Sequence, residues 1–166
     1  MEIFESDSRL GIERLDYAFA TSAFGEVLTA CDEWGLCFAG FVTEDRTAAL
    51  ADLKRRFPRA RLAENEAART DIFGEVGSLH LAGTAFQRRV WHTLLTVGRG
   101  ERISYSELAA RAGVPRAVRA AASAVAANPL SIVIPCHRIV RNDGSTGRYY
   151  WGAELKRQLL ESEMNG

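Results

Sequence analysis

The sequence predicts an α+β fold in two parts. An α/β N-terminal domain with a small antiparallel sheet is expected over residues 1–82, and a mainly helical C-terminal domain with a helix-turn-helix over residues 83–166. Three observations predict this. Residues 17–42 are rich in β-branched and aromatic side chains on either side of a turn-like "DEWG". Capping signals open successive helices from Thr84 onward. The charge divides at the same place: residues 1–85 carry 9 basic and 15 acidic side chains, net −6, and residues 86–166 carry 12 and 6, net +6.

Composition bounds the rest. With 166 residues, 47% hydrophobic and 25% charged, the chain is in the globular range. No apolar run approaches the roughly 18 residues of a membrane helix. The opening "MEIFESDSRL" lacks the basic start and apolar core of a secretion signal. A cytoplasmic, monomeric protein without a membrane partner is expected. The three cysteines, Cys31, Cys37 and Cys136, form no CxxC pair, and His80, His92 and His137 are scattered along the chain. Neither a metal site nor a disulfide framework is expected.

The elements follow in order. Residues 17–42 read as strands around the "DEWG" turn, with Cys31 and Cys37 flanking it. From Arg46 to Phe57, apolar residues at 49, 50, 53 and 57 follow helical spacing, and Pro58 ends the pattern. Residues 59–77 are polar and weakly patterned and read as a linker, before a short strand at Ser78–Leu81. Thr84 and Gln87 then form a capping box for a helix whose apolar face is Phe86, Val90, Trp91 and Leu94. A second capping box, Ser104 with Glu107, starts "YSELAARAG", which ends at Gly113. Pro115 suits the first turn of the next helix, "PRAVRAAASAVAANP". Helix, short glycine turn, helix is the helix-turn-helix pattern. In that second helix nearly every side chain is small except Arg116 and Arg119. Small residues suit either a core helix or close approach to a large rigid partner, and the arginines point to a polyanion. Residues 152–163 read as a final helix.

The stretch "SIVIPCHRIV" carries the chemistry. As one plain strand through Val140 it would bury His137 or Arg138 in apolar company, and Pro135 would interrupt the ladder. A strand ending at Ile134, then a turn carrying Pro-Cys-His-Arg, avoids both problems. Adjacent side chains diverge, so His137 would reach Cys136 more easily through a water than directly. In the last helix Leu155, Leu159 and Glu163 recur every four residues, placing Glu163 on the buried face. A carboxylate there needs a partner; His137 fits, and so does Arg138, while a frayed surface position needs neither. Cys136 is therefore either a core thiol or the nucleophile of a Cys–His–Glu arrangement.

Taken together, "GTAFQRRVW", "ISYSELA", "AVRAAASAVAANP", "IPCHRIV" and "WGAELKRQLLESE" resemble the O6-alkylguanine-DNA alkyltransferases, densely from Gly83 to Glu163 and loosely before it. The resemblance implies direct reversal of O6-alkylguanine damage in double-stranded DNA, one alkyl group per molecule. It implies that Cys136 accepts the alkyl group, His137 is the water-mediated base, Glu163 holds His137, and Asn128 is a hinge between recognition helix and active site. Tyr105 would abut the DNA backbone and give a proton to the leaving guanine. Arg119 would replace a base flipped out through the minor groove, and Tyr149 would pack on that base. Arg116 and Ser104 complete the expected DNA-facing set. No cofactor is expected. Arg148 and Tyr150 stand where relatives carry smaller residues, so a narrower pocket is expected. A lesion-binding relative without transfer would lack the acceptor cysteine; a cysteine hydrolase would need an oxyanion hole and no arginine-bearing helix.

Overall fold

A computed structural model describes residues 1–165. They form two compact units, Met1–Thr84 and a second beginning at Ala85. In the first unit, β1 (Glu2–Ser6), β2 (Arg14–Ser22), β3 (Gly25–Cys31), β4 (Leu36–Phe41), β5 (Arg61–Glu64) and β6 (Ser78–Ala82) make one sheet, with α1 (Arg46–Arg56) after β4. The strand order is β1-β6-β4-β3-β2-β5. Strands β2, β3 and β4 pair antiparallel, whereas β1 with β6, β4 with β6, and β2 with β5 pair in parallel.

The sheet is thus six-stranded and mixed, larger than the small antiparallel sheet expected. The missed strands are β1, "EIFES", and β5, "RLAE", the latter inside the expected linker. Both are short edge strands that take their conformation from a buried neighbour, so neither needs a strong pattern of its own. The centre was legible because all six residues of β4 are buried. The β3–β4 turn forms at "DEWG", where Asp32 Oδ1 accepts the N–H groups of Trp34 and Gly35 at 2.9 and 3.2 Å. Helix α1 starts where Asp45 accepts the Ala48 N–H at 2.8 Å, and it buries Leu53 fully. Strand pairing also gathers what the sequence scatters: His80 of β6 meets Asp32 and Cys37.

The second unit contains α2 (Ala85–Leu94), β7 (Ile103–Ser104), α3 (Tyr105–Arg111), α4 (Val118–Ala126), β8 (Ile139–Val140) and α5 (Ala153–Asn165). Its core includes Val90, Trp91, Leu94, Leu108, Leu130 and Leu159. Trp91 Nε1 donates to the Ala124 carbonyl at 2.9 Å, fastening α2 to α4. Ser104 caps α3 by accepting the Glu107 N–H at 3.1 Å. Glu107 does not close the expected box; its carboxylate pairs with Arg111 one turn on, at 3.0 Å. Gly113 takes φ +77, and its N–H and that of Val114 bond back to Ala110 and Ala109, which satisfies the end of α3.

Helix α4 corrects the sequence reading. It begins at Val118, so Pro115 and Arg116 lie in the preceding turn and Arg119 is in the first helical turn. The reason is local: the Ala117 N–H bonds to Val114, closing a turn instead of a helix. Ala121, Ala124 and Val125 are buried, while Arg119, Ala120, Ser123 and Ala126 are exposed. Among the described residues no helix is long and apolar enough to cross a membrane.

Candidate active site

The segment before Cys136 is a clamped turn, where a strand was expected. Asn128, 5% exposed, donates from Nδ2 to the Ile134 carbonyl at 2.8 Å and accepts the Leu130 N–H on Oδ1 at 2.9 Å. With both ends held by one amide, the chain folds back on itself and Ile132 is driven to φ +72. For a β-branched residue that conformation costs about 1–3 kcal/mol, and it persists because the clamp over-determines it. Cys136–Arg138 then form a single 3-10 turn, and Ile139–Val140 leave it as β8. The pairing of β8 with β7, Ile139 opposite Ile103 and Val140 opposite Ser104, carries Tyr105 into the electrostatic range of Cys136.

The side chains of this turn are spoken for in a specific way. His137 is 1% exposed and its Nε2 lies 2.7 Å from Glu163 Oε1. Arg138 binds the same carboxylate, with Nη2 to Oε1 at 2.9 Å and Nε to Oε2 at 3.1 Å, and donates from Nη1 to the Val97 carbonyl at 2.7 Å. The choice the sequence leaves open between His137 and Arg138 is resolved: Glu163 takes both. Burial alone would push the Glu163 carboxyl up, but the hydrogen bonds and charges of His137 and Arg138 outweigh it, and its pKa falls to about 2. An ionised Glu163 only accepts, so His137 Nε2 carries the proton. His137 Nδ1 is then a bare acceptor, buried and without a protein hydrogen-bond partner. Burial lowers the His137 pKa below its ordinary value, with Glu163 opposing in part. The result is a neutral imidazole, oriented by a carboxylate, with one basic nitrogen in hand.

Around Cys136, itself 9% exposed, stand three further groups. Tyr149 Oη is buried without a hydrogen-bond partner, near enough to Cys136 and Ser131 to interact with both; burial, then the Cys136 charge, hold its pKa well above 10. Burial and the same charge also raise the Tyr105 phenol. Lys156, 1% exposed, donates from Nζ to the carbonyls of Ile139 at 2.6 Å and Arg148 at 3.2 Å. Burial brings its pKa down to about 8, against the pull of the Cys136 charge. A phenol that stays protonated can donate, and a buried ammonium favours a nearby thiolate.

The model of the family described as 6-O-methylguanine DNA methyltransferase, DNA binding domain, matches residues 85–165. The chain is 41% identical over 159 residues to the bifunctional transcriptional activator/DNA repair enzyme Ada of Escherichia coli, covering 89% of this chain and 45% of that protein. It is 49% identical over 84 residues to a methylated-DNA–protein-cysteine methyltransferase of Kluyveromyces lactis, covering 51% of this chain and 44% of the relative. The chain spans about half the length of the curated relatives it matches. Among solved structures it resembles Mycobacterium tuberculosis OGT in complex with DNA, at 32% identity and a TM-score of 0.69, over 90% of this chain and 93% of the other. The chain belongs to the O6-methylguanine-DNA methyltransferase family.

The mixed α/β architecture is that of the family's OGT structures. Of the residues expected to carry this alkyltransferase chemistry, Cys136, His137, Glu163, Asn128, Tyr105 and Tyr149 gather around one turn. Arg119 and Arg116 are exposed on α4 and in the turn before it. Ser104 is half-buried, and its hydroxyl is engaged as the α3 cap. Tyr150 is 53% exposed and packs edge-on against Trp151 at 4.6 Å, so its ring lies mostly at the surface. One participant was missed, Lys156; Arg138 was foreseen only as an alternative to His137 at Glu163, and it joins His137 there. Lys156 lies three residues before Leu159 on the buried face of α5, and that spacing was the available signal.

Acid should unfold the second unit through the same residues. A Glu163 pKa depressed to about 2 contributes roughly 3 kcal/mol above the unfolded carboxylate range, lost as pH falls toward 2. His137 acts in the same direction: below its unfolded value the unfolded chain takes up a proton that the folded one resists. Urea midpoints measured from pH 7 to pH 3 are expected to fall in two stages, near the His and then the Glu range. A flat profile would contradict the assignment.

Proposed function

We propose that this chain repairs O6-alkylguanine in double-stranded DNA by transferring the alkyl group irreversibly to Cys136. The observation that carries the reading is at the turn: an ionised Glu163 holds His137 by Nε2, and Nδ1, on the residue next to Cys136 in the chain, is left without a protein hydrogen-bond partner. The Cys136 proton passes through a water to His137 Nδ1. The sulfur then forms a bond to the alkyl carbon as the bond from that carbon to O6 breaks. Lys156 supports the thiolate, and Tyr105, held protonated, returns a proton to the leaving guanine. Tyr149 packs on the base. A thioether has no easy route back to the thiol, so one molecule repairs one lesion.

DNA is the partner proposed for α4. A base in the duplex is out of reach and must leave the stack. The exposed small face of Ala120, Ser123 and Ala126 allows close approach to a minor groove, and Arg119 fills the gap left by the base. The net +6 of residues 86–166 supplies phosphate attraction without sequence reading. That M. tuberculosis OGT has been solved in complex with DNA supports DNA as the partner. The protein is proposed to act as a cytoplasmic monomer, without a metal or cofactor in the transfer itself.

The test is a mass measurement. Equimolar protein and duplex carrying O6-methylguanine should yield one methyl on the peptide containing Cys136 and no turnover beyond one equivalent. Binding without a mass change would instead indicate lesion recognition without transfer. Arg119→Ala is expected to slow repair of duplex DNA by about tenfold or more, since flipping costs a few kcal/mol. Reaction with free O6-benzylguanine should be nearly unaffected, and equal losses on both substrates would refute the role given to Arg119.

A further inference from the structure

The N-terminal unit holds a polar cluster that alkyl transfer does not use. Strands β1 and β6 pair with Phe4 opposite His80. Two residues on, Ser6 Oγ lies 2.8 Å from His80 Nε2. The other ring nitrogen, Nδ1, lies 2.6 Å from Asp32 Oδ2. Asp32 is held in place by the β3–β4 turn, through the Trp34 and Gly35 N–H groups on Oδ1. Burial pushes its carboxyl up, but the bonds from His80 and the turn bring it below its ordinary value. As an ionised acceptor it requires the proton on Nδ1. In the neutral ring Nε2 is then a lone pair, and the Ser6 hydroxyl must be the donor. Hydroxyl to imidazole to carboxylate is the order of nucleophile, base and orienting group in serine hydrolases, which are recognised by geometry and not by sequence position.

These three residues line one open cavity of about 920 Å³. A polar network that only stabilised the fold would need no such space, and this volume suits a small ligand. The wall is aromatic on one side, where Trp34, 49% exposed, packs on Phe4 at 5.3 Å. Glu5, Glu13, Asp16 and Glu33 also line it, with Arg14 as the one cation among its described residues. That balance repels anions and admits neutral or cationic molecules.

We propose that the N-terminal unit carries a second, hydrolytic site for small neutral or cationic esters, with Ser6 as nucleophile, His80 as base and Asp32 as the positioning residue. Ser6 Oγ bonds to the carbonyl carbon as its proton moves to His80 Nε2. The bond to the alcohol oxygen breaks, and the alcohol leaves with that proton. Water, deprotonated by the same nitrogen, then splits the acyl-serine into a carboxylic acid and free Ser6. Arg14, whose Nε donates to Asp16 Oδ1 at 3.2 Å, is the lining's one cation among the described residues, and its remaining N–H groups are assigned to the carbonyl oxygen.

The test uses the full chain carrying Cys136→Ala, so that the reactive thiol is absent, with p-nitrophenyl acetate as probe. Continuous p-nitrophenolate release and an acetyl group on the peptide containing Ser6 are expected. Ser6→Ala should lower the rate at least about hundredfold, the scale of lost nucleophile and base assistance. Made alone in the chain with Cys136 intact, Ser6→Ala should keep the thermal midpoint and methyl transfer unchanged. An undiminished rate in Ser6→Ala, or acetyl found only on Cys31 or Cys37, would overturn the proposal. So would tight Co(II) binding with a thiolate absorption band that Cys37→Ala removes. The donor atoms of Asp32, Cys37 and His80 lie within 4.8 Å of one another, and such binding would make His80 a metal ligand instead of a base.

Discussion

Cys136→Ala is expected to abolish methyl transfer and leave DNA binding at the wild-type level. The substitution removes one sulfur at a position 9% exposed, and the main hydrogen bonds of the surrounding turn remain. Asn128 still clamps Leu130 and Ile134, and Glu163 still holds His137 and Arg138. The basic surface, including Arg116 and Arg119, is untouched, so phosphate attraction persists. Burial raises the thiols of Cys31, in β3, and Cys37, in β4, above their ordinary range, so neither is a ready substitute acceptor. The measurement pairs intact-protein mass after incubation with methylated duplex and fluorescence anisotropy on the same DNA. A methyl group still acquired by the variant would show that the acceptor lies elsewhere. Loss of binding in parallel with transfer would show that Cys136 supports the fold instead of the chemistry.

Glu163→Gln should damage both stability and rate. The wild-type carboxylate, 7% exposed, compensates the Arg138 guanidinium and fixes the proton on His137 Nε2. A neutral amide leaves the half-buried Arg138 without its counter-charge, a loss smaller than the roughly 3–5 kcal/mol of a fully buried pair. It also frees His137 to take the other tautomer, which puts the proton on Nδ1 and removes the base from Cys136. Transfer is expected to slow by about 10²-fold or more, the scale of general-base assistance. A purely structural role would predict the stability loss alone. The two are separated by the pH–rate profile: with the base displaced, rate should rise with pH over a wider range, because spontaneous thiol ionisation takes over. The low-pH stage of the stability profile should vanish in the same variant.

Much of the helical unit was legible because its signals are local. A serine three residues before Glu107, a glycine after Arg111 and Asn-Pro after α4 each act on backbone groups a few bonds away. Glu163 was placed on a buried face by spacing alone, for the same reason. The sequence misjudged the start of α4 because Ala117 and Val114 close a competing turn that propensity does not register. It missed β1 and β5 because edge strands borrow their geometry from partners more than fifty residues away, or about forty-seven, in the chain.

By itself, then, the sequence determined the division of charge between the halves, the helix boundaries set by caps, and the presence of a thiol, an imidazole and a carboxylate able to work together. Only the tertiary structure decided that Glu163 serves His137 and Arg138 at once, that Lys156 is buried within electrostatic range of Cys136, and that Ser6, Asp32 and His80 meet at all. The physical reason is range. Capping and periodicity are read from neighbours along the chain, whereas a proton's position depends on which distant groups the packed fold brings within hydrogen-bond reach.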